Sequence, residues 1–249
     1  MASWNLWHGC TKISAGCQNC YVYRRDSEFG KDSSLLEKTS SFDLPLRRKR
    51  DGSYLLQDDG DFVYTCFTSD FFHPAADAWR TDAWRMIRER KDLNFFIVTK
   101  RPERFYESLP DDWGDGCGNV YICCTCENQK TADERLPVYL ELPIKHKSII
   151  HEPMLEGINI ERYLSVYGKE IESVSCGGES GAGARLCDFD WILWTRDQCV
   201  RYGVSFRFRQ TGANFKKDGR IYSIPRNMQL RQAERAGINY NPSALFENE

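Results

Sequence analysis

Six short runs rich in β-branched and aromatic residues recur between residues 62 and 209, at 62–66, 94–99, 120–124, 147–151, 171–176 and 204–209. Apolar residues at helical spacing fill 76–91 and 190–202, the second with Asp188 or Asp190 as cap candidate and Gly203 as stop signal. Strand alternating with helix predicts parallel β/α units, because parallel neighbours need a crossover connection. With a short strand before Cys10, about six to seven parallel strands predict an α/β fold: a single-domain, partial (open) β/α barrel of TIM type over 1–249. A doubly wound sheet is the competing architecture. The polar segment at about 27–61 reads as an inserted excursion with a weak hairpin arm at 53–56.

At 249 residues, 41% of them hydrophobic, the chain can bury one large core. A net charge of −2 excludes a globally basic coat protein but permits a local basic patch. No apolar run approaches the roughly 18 residues of a membrane span. The N-terminal residues Met1-Ala2-Ser3-Trp4-Asn5-Leu6-Trp7 lack the regions of a signal peptide, so the expected location is cytoplasmic. There the 11 cysteines are expected to stay reduced, most as small apolar core residues.

Polar groups follow the predicted strands: Asp70, Lys100, Glu127, Glu152, Gly177-Gly178-Glu179-Ser180 and Gln210. In a β/α barrel the carboxyl ends of the strands open on one face, and that face holds the chemistry. A carboxylate there points to function, because burying it unpaired is costly. Ion pairs from Lys100 to Glu127 or Glu152 are the purely structural account, and Asp70 is equally suited to capping the helix that follows. Gly177-Gly178-Glu179-Ser180 offers bare backbone to a ligand, or a simple strand-to-helix turn capped by Ser180.

The same face is expected to receive Cys10, Cys17 and Cys20, a C-x6-C-x2-C cluster followed at once by Tyr21. Three accounts stand: unrelated thiols, a zinc site completed by His8 or His73, or a [4Fe–4S] cluster with one iron left for a small-molecule chelate. Tyr21 suits packing beside a bound adenine, or ordinary packing.

Cys17-Gln18-Asn19-Cys20-Tyr21 resembles the end of the radical S-adenosylmethionine (SAM) loop, with a longer first gap than the usual C-x3-C-x2-C. Over nearly the full length the chain is similar to a phage-type three-cysteine-motif family that is regarded as radical-SAM-like. The segments are Trp4 to Ser14, Thr99-Lys100-Arg101-Pro102-Glu103-Arg104, Glu152-Pro153, Gly177 to Gly181 with Ala184-Arg185, Arg196 to Cys199, and Phe206 to Gln210. The chain departs from the family in carrying Arg209 and Thr211 around its last Gln.

The resemblance implies a radical SAM enzyme, with a [4Fe–4S] cluster on Cys10, Cys17 and Cys20 and with Asp70 placed to bind the SAM amine; Tyr21 and the strand-end residues Glu127, Gly177, Gly178, Glu179 and Ser180 are the further SAM-binding candidates. Lys100, Glu152 and Gln210 are the expected catalytic groups, and a flavodoxin- or ferredoxin-type electron donor the expected partner, with a further partner protein left open. Arg24, Arg25, Arg47, Arg48, Lys49 and Arg50 are candidate contacts to a nucleotide, DNA or RNA substrate, a solvated loop being the bland account of 47–50. A zinc-containing nucleic-acid-binding protein and a non-catalytic iron–sulfur subunit or sensor are the alternatives.

Overall fold

The computed structural model describes residues 2–107 and 109–245, so the extreme ends of the expected 1–249 domain lie outside the described residues. In chain order the first elements are β1 (Ala2–Trp4), β2 (Trp7–His8), α1 (Tyr21–Glu28), β3 (Glu37–Lys38), β4 (Phe62–Thr65), α2 (Asp77–Glu89), β5 (Asn94–Thr99) and β6 (Val120–Thr125). Then come α3 (Gln129–Leu140), β7 (His146–His151), α4 (Glu161–Tyr167), β8 (Ile171–Gly177), β9 (Leu186–Asp188) and α5 (Phe189–Arg201). The last are β10 (Ser205–Gln210), β11 (Asn214–Lys217), β12 (Arg220–Ser223) and α6 (Arg226–Arg235).

Seven strands form one sheet in the order β1-β4-β5-β6-β7-β8-β10, the strand plan of a partial, open TIM-type barrel. All six predicted runs are strands of this sheet, within one or two residues of the predicted limits. The chain divides into two compact units. One takes the residues through Ile13, Val22–Cys124 and Glu141–His146; the other takes Ser14–Tyr21, Thr125–Leu140 and the chain from Lys147 on.

In the first unit β1, β4, β5 and β6 pair in parallel, with Val63 opposite Ala2 and Phe95, and Ile97 opposite Ile122. Alternation puts Phe95, Ile97 and Thr99 inside. Helix α2 buries Ala83, Trp84, Met86 and Ile87. Trp84 is the hub, 4.8 Å from the Phe71 ring and 5.0 Å from Trp113, both edge-on. The excursion is stapled by Tyr54, whose ring takes Arg48 and Arg90 at 4.0 Å each. The expected hairpin arm reduces to a single bridge from Arg48 to Tyr54.

In the second unit β7, β8 and β10 pair in parallel and bury Ile149, Val174, Cys176, Phe206 and Phe208. Helix α5 starts where Asp188, one of the two cap candidates in the sequence, accepts the Asp190 N–H at 3.1 Å. Beyond Gln210 the chain leaves the parallel sheet and makes a small sheet in the order β12-β11-β9. Asp218 and Gly219 turn the β11–β12 hairpin with φ of 50° and 73°, as a type I′ turn requires. No helix among the described residues is long and apolar enough to cross a membrane.

Candidate functional site

Within the first unit, Cys10 follows Gly9, whose φ of 100° and contact with the Leu35 carbonyl (a Cβ would sit 2.1 Å from its oxygen) admit only glycine. The Gly9 N–H donates to Thr68 O and the Cys10 N–H to Ser33 O at 2.7 Å. The Tyr23 hydroxyl donates to the Cys10 carbonyl. Behind this loop sits Asp70. Its Oδ1 accepts from the Phe72 N–H and the Thr99 hydroxyl, and its Oδ2 from the Lys100 N–H at 2.9 Å and Arg101 Nη1 at 3.1 Å. Asp70 caps no helix here, since the 3-10 turn before α2 is capped by His73; it holds the Phe72 N–H two residues on and partners a buried guanidinium.

Arg101, only 4% exposed, carries that charge to the loop. Nη1 lies 3.6 Å from Cys10 Sγ, and Nη2 donates to Thr11 O and Oγ1 at 2.9 and 3.0 Å. Both histidines that could have completed a zinc site have partners. His73 accepts the Ala75 N–H at Nδ1, which leaves the proton on Nε2, 3.1 Å from the Thr11 hydroxyl; His8 Nε2 meets Asp26 at 2.7 Å.

Within the second unit, Cys17 closes the 3-10 turn Ala15–Cys17, and Cys20 immediately precedes Tyr21. Two carboxylates hold this turn. Glu127, fully buried, accepts the Gly16 N–H at 3.1 Å and pairs with Arg135 at 2.7 Å. Glu179 accepts Asn19 Nδ2 at 2.9 Å and is forked by Arg185 at 2.6 and 3.0 Å. Arg185 also donates to Ala15 O at 2.9 Å. Burial works against the charge on Glu179, but the bonds from Arg185 and Asn19 outweigh it and hold the carboxyl below its ordinary range.

At the ends of β7, β8 and β10 in the same unit, Gln210 Nε2 donates to Glu152 Oε1 at 2.6 Å and to Gly178 O at 2.9 Å. Arg209 sits 3.3 Å from Glu152 Oε2, and Gly177 lies so close to this carboxylate that a Cβ would be 2.9 Å from it. Tyr21, 47% exposed, has its phenol pushed up to about 12 by desolvation of its hydroxyl end and then by the negative charges of Cys20 and Glu152. Ser180 accepts Arg226 Nη1 at 2.9 Å.

The second unit holds Tyr21, Glu127, Glu152, Gly177, Gly178, Glu179, Ser180 and Gln210; Glu127 pairs with Arg135, and Glu152 with Arg209 and Gln210. Arg47 and Arg48 bond to Asp43 and to Gly52 O, within the excursion's own turns, while Lys49 and Arg50 face solvent. Arg24 and Arg25 lie on α1. Arg101, Asn19, Arg135, Arg185 and Arg226 went unread as site residues, though Arg101 adjoins Lys100 and Arg185 follows the Gly-Gly-Glu-Ser run.

Cys10, Cys17 and Cys20 are half-buried, whereas seven of the other eight thiols are buried and Cys117 is half-buried. Among the described residues no set of three or more His, Cys, Asp or Glu side chains is gathered as a metal-binding group. An α/β protein with a half-exposed cysteine segment pinned by buried carboxylates is the class defined so far. The chain belongs to the family described as "Protein of unknown function (DUF5131)", whose model matches residues 1–244. Neither the curated proteins nor the solved structures hold a match to it.

Proposed function

We propose that this protein is a radical SAM enzyme, with Cys10, Cys17 and Cys20 as ligands of a [4Fe–4S] cluster and a nucleotide or nucleic acid as substrate. The observation that carries the reading is the support given to these cysteines. Three buried carboxylates at strand ends, Asp70 through Arg101, Glu127 directly and Glu179 through Arg185, fix the backbone on either side of them. Support of that kind suits a segment whose side chains must be placed for chemistry. The donor set fits the group in its chemistry, three accessible thiols with a cation beside one of them.

The chemistry available from such a centre with SAM is one-electron cleavage of the sulfonium followed by hydrogen abstraction, the electron coming from a flavodoxin- or ferredoxin-type donor. Arg101 offsets negative charge at Cys10 and keeps Thr11 in place. Tyr21, its phenol protonated across the neutral range, presents a ring beside the last cysteine and a hydroxyl that donates. Gln210 and Arg209 orient Glu152, whose role is to position a polar group of the substrate, as is that of Lys100.

Anaerobic reconstitution with iron and sulfide, followed by SAM and dithionite, tests the reading against a Cys17→Ala control. Formation of 5′-deoxyadenosine that depends on Cys17 supports it. A brown protein inert toward SAM identifies a non-catalytic cluster protein, and a colourless protein holding one zinc identifies the zinc alternative.

A further inference from the structure

Resting on that reading, we propose that the β11–β12 hairpin and the start of α6 form a docking strip for single-stranded nucleic acid, making the substrate a polymer rather than a free nucleotide. Lys217 stands directly opposite Arg220 across the hairpin. Side chains two apart on a strand share a face, so Tyr222 lies on the same side as Arg220. All four residues of β12 are exposed, Tyr222 by 43%, and the strand is the outer member of its sheet. A bare edge strand with cations and an aromatic ring is the combination that tracks a phosphate backbone and stacks a base.

The strip is continuous with the site. The hairpin begins four residues after Gln210, and the chain returns from it to Arg226, which donates to Ser180 at 2.9 Å. The anchoring of the hairpin leaves its tip to solvent. Phe215 packs on Phe189 and Phe208, and Lys216 pairs with Asp188 at 2.7 Å, while Lys217 crosses the Phe189 ring at 4.9 Å. Residues 47–50, the densest basic run in the sequence, contribute two of their four cations to the turns of the excursion, which makes the hairpin the better-placed cationic surface.

The test is fluorescence anisotropy of labelled single-stranded DNA and RNA 12-mers, and of a duplex, with the wild-type chain and its Cys17→Ala variant. Three phosphate contacts, at Lys217, Arg220 and Arg226, weaken single-strand binding by roughly 20-fold between 50 and 200 mM salt. Lys217→Glu with Arg220→Glu is expected to weaken it by more than tenfold, and Tyr222→Ala by about tenfold. These residues are exposed, so circular dichroism melts should match wild type. No binding at low salt, no response to the charge reversals, or a duplex bound as tightly as the single strand overturns the proposal. Binding by Cys17→Ala together with a protein that takes no cluster keeps the strip and discards the radical SAM reading.

Discussion

Arg101 places one guanidinium nitrogen 3.1 Å from Asp70 Oδ2 and 3.6 Å from Cys10 Sγ, so a single buried cation joins the strand-end carboxylate to the first cysteine. Both partners are nearly sealed from water, at 5% and 7% side-chain exposure. Arg101→Gln leaves Asp70 buried without its cation and is expected to cost about 3 kcal/mol or more in urea unfolding. Adding Asp70→Asn to it removes the orphaned charge and should recover part of that loss. A double variant no more stable than Arg101→Gln alone would show that the pair is not the unit it looks to be.

The cysteines divide by environment, and metal content should divide with them. Cys10→Ala, Cys17→Ala and Cys20→Ala are expected to abolish iron and sulfide uptake. Cys187→Ala and Cys199→Ala, at buried positions, should retain it at a cost of about 1 kcal/mol in stability. Glu179→Gln is predicted to sit between these groups: it weakens the fork to Arg185 and lowers iron retention severalfold without removing a ligand.

Gly16 lies against Glu127, where a Cβ would come 2.9 Å from the carboxylate. Glu127 is fully buried and tied to Arg135, so it cannot swing aside freely. Gly16→Ala should therefore destabilise by about 1–3 kcal/mol. Gly118, whose Cβ would meet nothing within 4 Å, is the control: Gly118→Ala should be neutral or slightly stabilising. Equal thermal shifts in the two variants would contradict this difference.

His151 is fully buried, donates from Nδ1 to Cys126 O at 2.6 Å, and has no hydrogen-bond partner at Nε2 among the described residues. Burial outweighs the Cys126 carbonyl and Glu127 and lowers its pKa from 6.5 to about 4. The folded state therefore refuses a proton that the unfolded chain accepts below pH 6.5. Its contribution is whole above pH 6.5 and declines as pH falls towards 4, by about 1.4 kcal/mol per unit and roughly 3 kcal/mol in all. Urea midpoints from pH 7.5 to 4.5 should trace that decline, and His151→Gln should flatten it.

The parallel strands were legible because β-branched and aromatic runs with helical spacers have one economical arrangement. The site's polar residues were legible as positions, since strand ends follow once strands are found. Their pairings were not. Glu127 meets Gly16 across 111 residues of chain, and Glu179 meets Asn19 across 160. No local pattern encodes such a distance. The hairpin carrying Lys217 and Arg220 was hidden for another reason: its exposed strand lacks the apolar alternation that marks a half-buried one, leaving only the Asp218-Gly219 turn as a signal.

Burial lifts the thiols of Cys66, Cys176, Cys187 and Cys199 well above the range in which they ionise at neutral pH, and Cys123, Cys124 and Cys126 are sealed from solvent as well. Toward an alkylating reagent the folded protein should therefore behave as though it had four cysteines, Cys10, Cys17, Cys20 and Cys117. A dye or spin label added to the native, unmutated chain would land chiefly on the segment whose occupancy matters most, and the fold itself supplies that selectivity.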